Sequence, residues 1–351
     1  MSFEDGWAAI NLEMPKRVPR TEYSAEMHWD LMKAVTGADV TVDSGEEAKA
    51  RAQEAFYRAW NYDFFWSTGV KVDFGRWHTD MGHAEYAAGG VDFREPVRCP
   101  FGTPEEALAF DPVHSLPEPD TRRVRGQAEE SYQANCRAHG DGVNMTGIYH
   151  TCISGLIEIF GWDMLLTAAG LDPEAFGRVA NRYGEWIGRH FEALAEADVP
   201  VVMVHDDIVW TSGAFMRPGW YREYVFPNYR RFFGALAESG KKIMFTSDGN
   251  YTEFVDDIAA CGVDGFVMEP TTDMGYIAEE YGRTHVFVGN ADTRILLSGT
   301  REEIRAEVER CMAIGKPCPG YFMAVGNHIP PNTPVENAIY YNEVYEELSR
   351  R

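Results

Sequence analysis

Val201-Val202-Met203-Val204-His205-Asp206-Asp207 is the stretch on which the fold turns. Four apolar residues follow Pro200 and run straight into three polar ones. A run with no polar alternation suits a strand covered on both faces, as in a parallel sheet. The pattern recurs downstream. Lys242-Ile243-Met244-Phe245 ends in Thr246-Ser247-Asp248-Gly249-Asn250, and Gly265-Phe266-Val267-Met268 ends in Glu269-Pro270. His285-Val286-Phe287-Val288 ends in Gly289-Asn290-Ala291-Asp292, and Tyr321-Phe322-Met323-Ala324-Val325 ends in Gly326-Asn327-His328. Helical patterns fill the intervals. Residues 218–239 open on Pro218 and close before Gly240, and residues 251–261 align Phe254, Ile258 and Cys261. A shorter helix is expected over 273–281. Thr300-Arg301-Glu302-Glu303 reads as a capping box ahead of Ile304, Val308 and Met312, and a last helix covers 334–348.

Alternation of this kind predicts a parallel sheet. A doubly wound sheet and a closed barrel both satisfy it. No GxGxxG follows a strand and no GxxxxGK[ST] occurs, which weakens the nucleotide-binding doubly wound option. The expected class is therefore α/β: one (β/α)8 TIM barrel over residues 1–351, with an N-terminal extension and loops covering the barrel mouth.

The first half is less regular. Arg17-Val18-Pro19-Arg20 begins a first strand, residues 69–74 form another, and Gly147-Ile148-Tyr149-His150 ends a third. Helices are expected over 153–169 and 173–197. Residues 66–119 are rich in Gly, Pro and aromatics and too long for a plain connector, so they are expected to cover the mouth. Of the aromatics between Phe56 and Trp77, most should be core, with one or two lining an apolar cleft.

The 351 residues are 45% hydrophobic, enough for a large core. The formal net charge of -23 repels phosphate backbones and anionic lipid, which argues against nucleic-acid or membrane partners. Six Cys are scattered without a CxxC, so neither a disulfide framework nor a close thiolate pair is expected. No apolar leader opens the chain, and no run reaches the ~18 apolar residues of a membrane span. The expectation is a cytoplasmic enzyme acting on a small molecule; a homodimer is compatible with it.

In such folds chemistry gathers just past the carboxyl ends of the strands. The candidates for catalysis are Asp248, His205, Asp206, Tyr149 and His150. Substrate contacts are expected from Asn250, Asn290 and Asp207, and from His78 and His83 of the loop His78-Thr79-Asp80-Met81-Gly82-His83. Asp206, Asp207, Asp248 and Asp292 also precede helices, where Asp is a favoured cap, so a purely structural role stands beside the catalytic one. Asp248, Glu269 and His328, with His205 as a further donor, form a set that suits Zn²⁺ with an open position.

Three segments carry a resemblance. Val204-His205-Asp206-Asp207 through Met216-Arg217-Pro218-Gly219-Trp220-Tyr221 to Pro227, then Phe245-Thr246-Ser247-Asp248-Gly249-Asn250, then Gly326-Asn327-His328-Ile329-Pro330-Pro331-Asn332 to Asn337 resemble the uroporphyrinogen decarboxylase superfamily. The likeness covers most of the last 150 residues in order and implies a (β/α)8 barrel. Two chemistries occur in that superfamily: cofactor-free porphyrinogen decarboxylation, and zinc-dependent methyl transfer with a corrinoid protein or coenzyme M. The arginine-rich RQAGRY-like segment of true decarboxylases is absent; Arg17, Pro19 and Arg20 occupy its region. The His-x-Cys and later Cys of the methyltransferase zinc site fall on Thr246, Asp248 and Asn327. The resemblance implies a methyltransferase that demethylates a small methylated compound, an O-methyl one being a candidate, and passes the methyl group to a corrinoid protein. A decarboxylase or lyase using Asp or His as proton donor is the alternative, and a catalytically silent binding protein the third.

Overall fold

A computed structural model describes residues 1–79 and 98–351. Its strands are β1 (Phe64–Phe65), β2 (Val143–Asn144), β3 (Thr146–Ile148), β4 (Val201–His205), β5 (Val209–Trp210), β6 (Gly213–Ala214), β7 (Lys242–Ser247), β8 (Gly265–Met268), β9 (Val286–Val288) and β10 (Tyr321–Phe322). Six of them form a parallel sheet in the order β10-β9-β8-β7-β4-β3. The sheet continues at both edges. β2 leads into β3 and pairs in parallel with β1. The Asp63 N–H, just before β1, donates to the Arg20 carbonyl. On its other side the extended segment 18–20 pairs with Met323, just past β10. The ring thus runs 18–20, β1, β2/β3, β4, β7, β8, β9, β10 and back, eight positions in all. This is the α/β barrel the strand–helix alternation predicts.

The apolar runs are explained by the two sides they must cover. Val201, Met203, Met244, Val267, Val286, Val288 and Phe322 fill the barrel interior together with Phe64, Val143 and Met145. Val202, Val204, Ile243, Phe245, Phe266 and Phe287 pack outward into the helical layer. The helix Phe3–Ile10 inserts Ala9 and Ile10 into the inner cluster. It is the N-terminal extension, and it closes the end of the barrel opposite the strand-end loops, with Leu12 beside Gly320 at the start of β10.

Several boundaries differ from expectation. The helix expected over 218–239 is two, Pro218–Tyr224 and Phe226–Glu238, because Pro227 lacks the N–H that would carry one helix through. The segment 251–261 splits into a 3₁₀ turn and the short helix Val255–Ala259. The strand expected over 69–74 reduces to one bridge, Val70 to Ile148. Helices Glu46–Ala59 and Thr121–Ala138 stand where the sequence shows no clear pattern. The capping box at Thr300 is present as expected. Helix Cys152–Leu171 has the length and apolarity of a membrane span, with mean hydropathy 1.4, but 72% of that window is buried inside the fold, so core packing accounts for it. The six thiols are all free.

Candidate active site at the barrel mouth

Because side chains alternate along a strand, β4 and its extension send His205 and Asp207 toward the barrel axis and Asp206 away from it. His205 Nε2 lies 2.8 Å from Asp207 Oδ1. Asp207 is held on three sides: its N–H donates to Ser154 Oγ, its Oδ1 accepts from the Asp248 N–H at 3.0 Å, and its Oδ2 accepts from the Tyr149 hydroxyl at 3.3 Å. The Tyr149 ring stands edge-on to the His205 imidazole with centroids 4.1 Å apart. Burial works against the Asp207 carboxylate, but His205 and the two donors outweigh it and hold its pKa down to about 2. Burial likewise opposes the His205 imidazolium, and Asp207, with Asp248 and Asp206, more than compensates, so its pKa is raised.

Asp248 follows β7 and is positioned by Gly249. That glycine has φ +82°, and a Cβ there would lie 2.6 Å from the Trp210 carbonyl group, so only glycine fits the turn. The Asp248 side chain opens onto the barrel mouth, with protein packed around most of it. Burial, then the neighbouring Asp207 and Glu269 carboxylates, push its pKa up to about 7 against the pull of His205. Glu269 accepts from the Gly249 N–H at 2.7 Å and from the Asn327 side-chain amide. His328 Nδ1 lies 2.6 Å from Ser24 Oγ, and burial followed by His205 lowers its pKa.

These groups line two chambers. The inner one, about 310 Å³, is walled by Tyr149, His205, Asp248, Glu269 and His328 on one side and by Tyr23, Glu26, Tyr57, Tyr62, Phe65 and Trp66 on the other. The outer one, about 770 Å³ and open to solvent, is lined by Trp162, Asp207, Val209, Trp210, Thr211, Ser212, Asp248, Gly249 and Glu269. Asp248 and Glu269 belong to both. Among the described residues neither lining includes a Lys or Arg.

The structure sorts the candidates. His205, Asp248, Tyr149 and Asp207 meet in one place. Asp206 does not join them. It is fully buried, accepts from the Ile153 and Ser154 N–H groups and the Tyr229 hydroxyl, and so caps helix Cys152–Leu171 from outside. His150 points out of the barrel against Phe74, with Nε2 3.7 Å from Glu158, and His78 approaches the same Glu158 at 4.0 Å. His83 lies outside the described residues. Asn250 accepts from the Thr252 N–H in a turn, and Asn290 is buried, donating to Glu269 and Thr272 carbonyls and accepting from Arg310. Neither lines the chambers. Asp292 caps its own helix, Thr293–Ser298.

The donors expected to hold a metal were Asp248, Glu269 and His328; the grouping present is His205, Asp207 and Asp248, whose ligand atoms lie within 4.8 Å of one another. With Thr246 and Asn327 at the other two positions and no thiol in either lining, the residues do not fit a thiolate zinc site. Their imidazole and carboxylates fit a harder cation. The sequence pattern did not point to Tyr23, Ser24 and Glu26, which lie after a strand too short to show a pattern. It did place an aromatic or two of the 56–77 region in the cleft; four are there.

The arginines near the N-terminus are both engaged. Arg17 bonds Asp63 at 2.6 Å and the Tyr345 hydroxyl. Arg20 is fully buried, paired with Glu22 at 2.9 Å and set over Trp60, Tyr341 and Tyr345. Neither is available to substrate carboxylates.

Comparison with known proteins follows the same lines. The family model for uroporphyrinogen decarboxylase (URO-D) matches residues 107–348. The chain belongs to the uroporphyrinogen decarboxylase family. Among its relatives, the uroporphyrinogen decarboxylase of Carboxydothermus hydrogenoformans is 29% identical over 177 residues, 50% of this chain and 49% of that one. That of Burkholderia thailandensis is 26% identical over 76% of this chain and 72% of that protein. The chain spans about half the length of the first relatives it matches. Among solved structures, a methyltransferase from Methanosarcina mazei superposes with a TM-score of 0.62 over 97% of this chain and 96% of that one, at 18% identity, a likeness of fold. Family members are enzymes, and this member of the uroporphyrinogen decarboxylase family has a polar strand-end site whose linings, among the described residues, hold no Lys or Arg for a polycarboxylate.

Proposed function

We propose that the chain is a methyltransferase that takes a methyl group from a small methylated compound and passes it to a corrinoid carried by a partner protein. The observation that supports this reading is the pair of chambers sharing Asp248 and Glu269. A decarboxylation needs one pocket; a transfer needs a place for the donor and a route for the acceptor to the same atoms. The inner chamber suits a small donor. The outer one is broad, open and floored by Trp162 and Trp210, with ring centroids 5.6 Å apart, which suits the edge of a large flat group. That no Lys or Arg stands among the described lining residues counts against the decarboxylase reading, since several substrate carboxylates would meet carboxylates.

In this reading His205, fixed by Asp207 and Tyr149, is the rigid polar contact that orients the donor. Asp248, titrating near neutrality at the junction, sets the charge felt by the group that loses its methyl. A second reading rests on the closeness of His205, Asp207 and Asp248. A divalent cation there would supply a Lewis acid for an ether oxygen. The test is single-turnover methyl transfer to reduced cobalamin from a panel of methyl ethers, thioethers and onium compounds, with carboxylates in parallel and the metal content of the purified protein measured. Transfer from one class, reduced at least roughly a hundredfold by H205A, supports the proposal. Release of CO₂ from a carboxylate, with no methyl transfer, overturns it.

A further inference from the structure

The ring order sets two unlike walls face to face. In an eight-position barrel, segment 18–20 stands across from β7, and β1 across from β8. The loop after 18–20 brings Tyr23 to the inner chamber, the end of helix Glu46–Ala59 and the turn after it bring Tyr57 and Tyr62, and β1 and the residue after it bring Phe65 and Trp66. The ends of β7 and β8 bring Asp248 and Glu269.

The aromatic wall has two packed groups of rings. Tyr57 packs on Tyr62 and Phe65 with centroids 4.9 and 5.3 Å apart, and Trp66 meets Tyr23 edge-on at 5.5 Å. Two of its phenols, Tyr23 and Tyr62, have buried oxygens with no hydrogen-bond partner, and Tyr62 is only 2% exposed. The lone pairs of such an oxygen remain open to the weak contacts that the polarised C–H groups beside a positive charge can make. Glu26, and Glu22 held by Arg20, bring the carboxylates of this lining to four among the described residues. Three described cations on this side of the barrel are paired: Arg20 with Glu22 behind the wall, Arg294 with Asp292, and His205 with Asp207.

We propose that the inner chamber takes a methylated onium cation, a quaternary ammonium or a sulfonium, as the methyl donor. An aromatic wall facing carboxylates attracts such a cation through ring faces and charge together, without demanding the hydrogen bonds that an onium cannot give. The inference rests on the methyl-transfer reading and names its donor. It also accounts for the absent thiolates. A methyl ether or thioether needs its leaving atom activated; an onium is already activated. The C–N or C–S bond breaks with both electrons staying on the heteroatom, which leaves as a neutral amine or sulfide. The methyl carbon takes the electron pair brought by the nucleophilic corrinoid of the carrier.

The test needs no knowledge of the natural donor. Calorimetric titration of the whole protein with choline is compared with its uncharged carbon isostere, 3,3-dimethylbutan-1-ol, with trimethylacetate as the anion and Mn²⁺ as the divalent competitor. Choline should bind roughly tenfold or more tightly than the isostere, trimethylacetate should not bind, and W66L and E269Q should each remove most of that preference. W66F should retain much of it, which separates the ring's role from simple loss of fold. Equal binding of choline and the isostere overturns the inference, as does binding of Mn²⁺ alone. The two proposals fail differently. Onium binding without methyl transfer to cobalamin defeats the function and leaves the chamber's preference standing. Transfer from an ether with no preference for choline does the reverse.

Discussion

Asp207 collects His205, the Asp248 N–H and the Tyr149 hydroxyl on one carboxylate, and the imidazole is the group that reports on it. Its own pKa is depressed to about 2, so its stabilising effect is present above the unfolded value near 4 and lost as pH falls toward 2. His205 is shifted the other way, so its contribution is complete below about 6.5 and fades as pH rises through its raised pKa. The pair is therefore strongest between about pH 4 and 6.5. We expect D207N to lower the His205 titration midpoint in ring-resolved NMR, and to cost more stability at pH 5.5 than at pH 8.5. Asp248 behaves oppositely. Its pKa of about 7 lies above its unfolded value, so the folded state gains from its protonation at low pH and loses that gain as pH rises from about 4 to about 7. D248N should raise the melting temperature at pH 8 and change it little at pH 4. Solvent in the cavity screens the charge, so the gain is on the order of 1 kcal/mol. No rise at pH 8 would mean that Asp248 ionises without strain.

At the scale of elements, Asp206 does for helix Cys152–Leu171 what no residue of that helix does. Thr151 at its start makes no side-chain cap, and the free N–H groups of Ile153 and Ser154 are met by a carboxylate from β4. D206A removes two charge-assisted bonds and strands the Tyr229 hydroxyl, so we expect a loss of roughly 3 kcal/mol in urea unfolding. Activity per folded molecule should survive far better than in H205A. The sequence shows His205-Asp206-Asp207 as three equivalent polar residues. Their different fates come from the two-residue period of the strand and from a helix fifty residues away in the chain. The strands β4 and β7 to β9 were legible because apolar runs buried on both sides leave no other reading. The first position, begun at Arg17-Val18-Pro19-Arg20, was legible too, although segment 18–20 carries a buried arginine. The second was not: β1 is two residues long within an aromatic-rich stretch whose side chains serve barrel, helical layer and cavity at once. Asp248, Glu269 and His328 were legible as strand-end residues; that Asp207 rather than Glu269 or His328 would gather with His205 and Asp248 depends on register between strands.

For the whole molecule, the seam of the ring is the least hydrophobic part. Segment 18–20 joins β10 and the Asp63 backbone through few main-chain bonds, and the fully buried Arg20–Glu22 pair sits on it, tied to Val325 and Tyr341 by Glu22. E22Q leaves the Arg20 guanidinium buried without its counter-charge, and should cost about 3–5 kcal/mol. Because both N-terminal arginines are committed to the seam, the intact protein should show no turnover of uroporphyrinogen; coproporphyrinogen formation in a standard fluorimetric assay would contradict this account of the site.

Two chambers that meet at Asp248 and Glu269 also constrain the order of events in time. No group described at the junction is placed to hold a methyl group between visits of donor and acceptor: the lining there has carboxylates, a histidine already engaged, and no thiol. Donor and carrier must then be present together. Initial rates measured while both are varied should give double-reciprocal lines that intersect, and donor alone should leave no radiolabelled methyl group on the protein. Parallel lines, or a labelled enzyme, would show that the wall between the chambers takes part in the chemistry as a covalent way-station.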